Sequence, residues 1–305
     1  MELEMCSRAC PICGSADAYR VFADARFDTK KLDGFAFASR KRPEYMHYRL
    51  NECRRCDGLY ANPLPTRESL ERAYVAADFD SAEEARYASL VYADFLPNIL
   101  RQIGDAGAAL DIGTGDGAFL ERLLPLGFRR VVGVEPSAAP VAAAKPSIRA
   151  LIRQGPFHAA DFERESFSLV TCFQTLEHVY EPQALCRDAY GLLREGGALF
   201  VVSHNRRALS ARLLGRKSPI FDVEHLQLFS PRSLRYALEH AGFSDVEFHT
   251  VVNRYPLEYW MKLLPLPARV KDRVLPRLRH SRLGKLPVSM AAGNFAAVAY
   301  KRSSS

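Results

Sequence analysis

The stretch Ala108-Ala-Leu-Asp-Ile-Gly-Thr-Gly-Asp-Gly-Ala-Phe-Leu120 constrains the fold more than any other part of the chain. An apolar strand runs to Ile112, a turn carrying Gly113, Gly115 and Gly117 follows, and Phe119, Leu120, Leu123 and Leu124 then recur at helical spacing. Strand, glycine turn and helix in that order open a nucleotide-binding βαβ unit, where glycines let the backbone approach a ligand closely. The next apolar run, Val131-Val-Gly-Val134, ends in Glu135, an acid placed to accept hydrogen bonds from ribose hydroxyls. Taken alone, such a unit also fits a dinucleotide, or a glycine turn without a ligand. Two details lean away from a dinucleotide. The glycine spacing is G-x-G-x-G rather than G-x-G-x-x-G. Asp111, at the strand end, also faces the site, where a carboxylate repels a pyrophosphate and suits a ligand bearing ammonium and sulfonium charges.

Two matched C-x2-C pairs, Cys10-Pro-Ile-Cys13 and Cys53-Arg-Arg-Cys56, precede this unit, each followed by a turn at Gly14 or Asp57-Gly58. A C-x2-C turn puts two thiolates on one side, and two such turns supply four ligands with no open position, the pattern of a structural Zn2+ site. A redox pair or coincidence is the alternative, although a redox motif needs only one pair. Cys6 is a substitute for Cys10 in the same reading. Cys172 and Cys186 sit in apolar patterns and read as buried.

With these residues in view, the chain resembles the class I S-adenosylmethionine-dependent methyltransferases. Leu110 to Gly117 looks like their first motif, and Val132-Gly-Val-Glu-Pro-Ser137 like their second strand with its ribose acid. Phe167 to Val179 looks like the fourth strand and its loop, and Leu192-Leu-Arg-Glu-Gly-Gly-Ala-Leu199 like the turn into the fifth. The resemblance implies an α/β, Rossmann-like, doubly wound and mostly parallel seven-stranded sheet. It implies S-adenosylmethionine held by Asp111, Gly113, Thr114, Gly115, Gly117, Glu135, Pro136, Phe157 and Gln174. Pro156 stands where the family often has an acid after the glycine of the adenine region. The N-terminal cysteine block resembles zinc-ribbon methyltransferases found among small-molecule and sugar-modifying enzymes. On this reading residues 1–62 form a zinc module, 63–107 a linker with helices, and 108–305 the catalytic domain.

Transfer of a methyl group needs alignment and, for a hydroxyl or carbon acid, a base. His178, after the fourth strand, and His225 in Asp222-Val-Glu-His-Leu226 are the candidates, with Glu224 placed to orient His225. Packing or capping roles for both histidines remain open. Tyr87 is a candidate for the methionine carboxylate, with packing equally open.

The chain has 305 residues, 48% apolar and 25% charged, ordinary values for a folded protein. No apolar run is long enough to span a membrane, and the acidic start lacks an apolar signal core, so a cytoplasmic location is expected. The net charge of +7 sits largely in 269–285, with seven basic residues against Asp272. Across 254–286, Val270, Val274 and Leu278 follow an i, i+4, i+8 line behind Tyr255, Tyr259 and Trp260. This reads either as a basic amphipathic helix on anionic lipid or as a stripe packed on the domain, and Pro265, Pro267 and Pro276 break it in favour of packing. Ser230-Pro231 marks a helix start that runs to Gly242, and Phe295 to Tyr300 reads as an antiparallel strand at or beside the sheet edge. The expected function is methylation of a small-molecule acceptor, such as a nucleotide sugar or a lipid-like metabolite. The alternatives are an RNA methyltransferase and a non-catalytic scaffold. Nucleic acid is disfavoured, because the basic residues at 20, 26, 30, 31 and 40–42 are offset by acids. Nothing in the sequence fixes the oligomeric state.

Overall fold

The computed structural model describes residues 4–302 apart from 29, 31, 33 and 39–42. The 303–305 tail, expected to be disordered, and the basic residues at 31 and 40–42 lie outside the described residues.

A seven-stranded sheet forms the centre, in the order 245–250, 294–300, 193–204, 167–173, 108–112, 130–135, 152–154. Asn294–Tyr300 is antiparallel to both its neighbours, and the other pairings are parallel. This is the Rossmann-like, mostly parallel arrangement, with the antiparallel strand one place in from the edge. The alternation of side chains sorts the core. Leu110, Ile112, Val170, Cys172, Leu199 and Val201 pack on one face with helices Pro182–Leu192 and Pro231–Ala241. Ala109, Leu169, Phe200, Val202, Ala296 and Val298 pack on the other, under helices Ala82–Ala93 and Leu96–Ile103. Both faces are covered, which is why these strands read as continuous apolar runs. Cys172 and Cys186 are buried there.

Helix Pro231–Ala241 begins with Ser230 accepting from the Ser233 amide at 3.2 Å and ends at Gly242 with φ +114°. The helix after the glycine turn is shorter than its pattern suggests. It spans Leu120–Leu123 and tightens into a 3-10 turn at Leu124–Leu126, and Leu124 is exposed. Pro125 has no amide to continue the ladder.

The cysteine segment builds a second, antiparallel four-stranded sheet, in the order 227–228, 59–61, 50–53, 19–23. Its edge strand, Gln227–Leu228, comes from the catalytic half, and Phe221, Val223, Leu226 and Leu228 share a core with Leu50, Leu59 and Leu70. A further excursion, between 250 and 294, carries a hairpin of Asn253–Pro256 with Pro287–Met290 and helices Leu257–Leu263 and Ala268–Arg279. Pro265 and Pro267 lie between those helices. Pro276, however, does not break the second one. It sits inside it, on the exposed side. Tyr255, Tyr259 and Trp260 are buried in the core rather than turned outward.

Candidate active site

At the carboxyl end of the parallel strands, Asp111 sits in register with Thr171, whose hydroxyl donates to it at 2.6 Å. Burial raises the Asp111 carboxyl to about 6, against the opposing pull of that hydrogen bond. The amides of Gly113 and Thr114 both donate to the Val134 carbonyl, which closes the turn. Gly115 has φ +59°, and a Cβ there would meet nothing within 4 Å, so the backbone opens on empty space. Glu135 accepts from the Gly115 amide on Oε2 and the Ser137 amide on Oε1, both at 2.9 Å. Burial raises its pKa while those two bonds oppose the shift. Gly117 behaves differently from the expectation that it holds a ligand. A Cβ at this position would lie 2.3 Å from Ile148 Cγ2, and Gly117 is absent from the cavity wall, so it serves close packing.

A cavity of about 580 Å³ extends from this cradle. Asp111, Gly113, Thr114, Gly115, Glu135, Pro136, Phe157 and Gln174 line it, and so do His178, Glu224 and His225. Tyr87 does not, and its ring packs edge-on against Tyr255 with centroids 6.5 Å apart. Ser89 and Tyr92, from the same helix, reach the wall instead.

Three histidines cluster at the far end. The ring centroids of His178 and His225 are 4.9 Å apart, and those of His204 and His225 5.0 Å. His225 Nδ1 meets the Ile220 carbonyl at 2.9 Å, so Nδ1 carries a proton, and in the neutral ring the lone pair is on Nε2. A backbone carbonyl thus orients His225 at Nδ1, a role the sequence assigned to Glu224. The Glu224 carboxylate instead gathers with those of Glu44 and Asp222, their oxygens within 4.8 Å of one another. The Glu224 carbonyl accepts from His178 Nδ1 at 2.9 Å and from the Tyr74 hydroxyl at 2.8 Å. Desolvation lowers the His178 pKa, which keeps the ring neutral at pH 7. His204 donates from Nδ1 to Asn294 Oδ1 at 2.8 Å, while Gln174 Nε2 approaches its Nε2 at 3.3 Å. Gln174 is held at φ +49°, the left-handed region, which aims its amide from the strand end.

Sequence reasoning missed His204, Tyr74 and Asn294, together with the roof of Phe37, Tyr259 and Trp260. His204 ends the strand Leu193–His204, and that carboxyl-end position was a usable signal. Tyr74, Phe37 and the roof residues come from distant segments and carry no local signature.

The four cysteines of the pairs converge. Their sulfurs lie within 4.8 Å of one another, with Cys10–Cys56 at 3.6 Å and Cys13–Cys53 at 3.5 Å. A tetrahedral zinc with bonds of about 2.3 Å sets its sulfurs about 3.8 Å apart, so the donor set fits that ion. Each knuckle is closed by a backbone bond, Gly14 to the Cys10 carbonyl at 2.8 Å and Asp57 to the Cys53 carbonyl at 3.0 Å. Asp57 and Glu52 are then gripped by the buried Arg206 guanidinium, each at 2.6 Å, and by Arg207. Arg206 lies two residues beyond His204, so this ion cluster joins the cysteine knuckle to the strand that carries a cavity histidine.

Fold and site together define a Rossmann-like methyltransferase. The chain belongs to the methyltransferase-domain family, which matches residues 82–247, a span that begins after the cysteine segment. It is 30% identical over 153 residues to a ubiquinone biosynthesis O-methyltransferase of Pseudomonas fluorescens, covering 43% of this chain and 66% of that one. An enzyme of the same name from Coxiella burnetii is 25% identical over 166 residues, 48% of this chain and 70% of that one. Among solved structures, a putative methyltransferase from Bacillus halodurans superposes with a TM-score of 0.50 at 18% identity. The match covers 69% of this chain and 100% of that one, a likeness of fold.

Proposed function

We propose that the protein transfers the methyl group of S-adenosylmethionine to an oxygen or acidic carbon of a small, largely apolar acceptor. The observation that carries this reading is the continuity of the cavity: one space joins the glycine cradle and Glu135 to a chamber of histidines roofed by aromatic rings. Its volume, about 580 Å³, falls in the usual range for small-molecule sites. The bound cofactor supplies an activated methyl group on a sulfonium, and the chain's own residues do the rest. Gly115 gives close backbone approach, Glu135 accepts from the ribose hydroxyls, and Asp111 supplies negative charge at the cationic end. Phe37, Tyr255, Tyr259 and Trp260 favour a flat or apolar acceptor and exclude water. The names of the matched relatives, O-methyltransferases, favour an oxygen acceptor. His225, with its lone pair on Nε2, takes the acceptor's proton, and His178 is the rival for that role. Cys10, Cys13, Cys53 and Cys56 hold a structural Zn2+.

Calorimetry with S-adenosylmethionine tests the cofactor, and NAD binding in its place overturns the reading. Labelled cofactor offered to pools of hydroxylated aromatic lipids and of nucleotide sugars tests the acceptor. Methylation confined to the sugars removes the apolar half of the proposal. With an acceptor in hand, single-turnover rates of His225→Asn and His178→Asn assign the base. A true base contributes about 10²–10⁴-fold. That loss is expected for His225→Asn with cofactor affinity unchanged, and finding it only in His178→Asn moves the assignment.

A further inference from the structure

The two most exposed large apolar side chains among the described residues, Leu213 at 77% and Leu209 at 69%, lie one turn apart on the short helix Leu209–Leu214. They share it, and the turn that follows, with exposed Arg212, Arg216 and Lys217. This helix is fastened to the 250–294 excursion: Ser210 Oγ donates to the Ala292 carbonyl at 2.8 Å. A Cβ on the neighbouring Gly293 would lie 2.7 Å from Ala208 Cβ. The excursion has the same mixed character. Leu283, Leu286 and Met290 are 56%, 53% and 46% exposed, and Arg269, Arg273, Arg277, Arg282 and Lys285 stand outward beside them. The excursion borders the cavity through Tyr259, Trp260, Leu263 and Ala292, and the segment that follows the short helix borders it through Pro219 and Ile220.

We infer that this rim is a peripheral docking surface for an anionic lipid bilayer, with the two exposed leucines as the inserting element and the arginines of Ala268–Arg279 as the electrostatic one. Apolar side chains left in water beside exposed cations are the chemistry of an interfacial segment, which buries apolar area while basic groups meet anionic headgroups. Nucleic acid would use the cations and leave the leucines without a partner. The surface differs from a simple amphipathic helix over 254–286, because Tyr255, Tyr259 and Trp260 are core residues and the short helix 209–214 lies outside that span. Its position gives it a use: a lipid-soluble acceptor reaches the cavity from the bilayer without crossing water. That use, though not the surface itself, rests on the methyl-transfer reading.

Co-sedimentation of the full chain with phosphatidylcholine vesicles, with and without phosphatidylglycerol, tests the surface. Binding is expected to the anionic vesicles alone and to weaken with salt. Leu209→Ser/Leu213→Ser and Arg273→Glu/Arg277→Glu are each expected to lower it at least about tenfold. Unchanged circular dichroism and unchanged calorimetric affinity for S-adenosylmethionine certify that both variants are folded. No binding to anionic vesicles at low salt overturns the inference, as does equal binding by both variants. Retention on single-stranded RNA at the same salt, abolished by the arginine pair and indifferent to the leucine pair, overturns it in favour of nucleic acid. Loss of S-adenosylmethionine binding in the wild-type chain would defeat the functional reading while leaving the vesicle result to stand.

Discussion

Asp111 is ionised at pH 7 in a place where burial holds its pKa at about 6. Its folded-state value lies above the ordinary 3.8, so its contribution to stability is present below about pH 4 and is lost as pH rises through about 6. Without a cationic ligand, Asp111→Asn should therefore stabilise the protein at pH 7 by on the order of 2–3 kcal/mol. It should also flatten the pH dependence between about pH 4 and 7, as read from urea unfolding across that range. An unchanged profile would show that the charge is solvated. A cation pulls the same pKa down, so S-adenosylmethionine should bind more tightly as pH rises through about 6, with protons released. Calorimetry in buffers of different ionisation enthalpy measures that release. Glu135 belongs to the same scale. Glu135→Ala removes an acceptor held by two amides and should weaken cofactor binding by about 1.5–3 kcal/mol. Both carboxylates were legible in sequence because each lies at the carboxyl end of a strand, Glu135 as its last residue and Asp111 as its last but one. Which hydroxyl or amide holds each one was set by strand register.

The glycine turn shows how one element divides its work. Gly115 and Gly117 share a positive φ, +59° and +75°, yet only Gly115 opens on the cavity. Gly117→Ala drives a methyl into Ile148 and should cost stability by about 1–3 kcal/mol, beyond the backbone penalty, with unfolding as the readout. Gly115→Ala has room for its methyl, so its larger effect should fall on cofactor affinity and only the strain of a left-handed alanine, about 1 kcal/mol, on stability. Equal stability losses in the two would contradict this division. The sequence pattern marked both glycines alike, because it records the need for a left-handed residue and says nothing of what lies beyond the missing side chain. The helix at Ser230 was legible in full, since its cap is made by residues three apart.

Across the whole molecule, the cysteine knuckle and the catalytic half are joined through Arg206, whose side chain is 2% exposed between Glu52 and Asp57. Removing one partner of a buried ion cluster is costly, so Arg206→Met should destabilise the protein by about 3 kcal/mol, the lower end of the range because Arg207 and Arg20 still serve Glu52. Differential scanning calorimetry checks this. Near-wild-type melting would mean that the halves are held by packing alone. If the four cysteines hold zinc as proposed, its removal by a chelator should loosen the same junction and, through the strand that ends at His204, lower methyl transfer together with melting temperature. The sequence by itself determined the glycine cradle, the two cysteine turns, the helix cap and the acids at strand ends. Each of these is fixed by the backbone angles and spacing of neighbouring residues. Tertiary structure alone decided that His178, His204 and His225 meet, that Gln227–Leu228 completes the cysteine segment's sheet, and that the 250–294 excursion roofs the cavity. Those contacts join residues far apart in the chain, as Arg206 and Glu52 are at a separation of 154. They follow from strand order and from which face each strand residue takes, and a one-residue change in register would send a strand residue such as His204 to the opposite side.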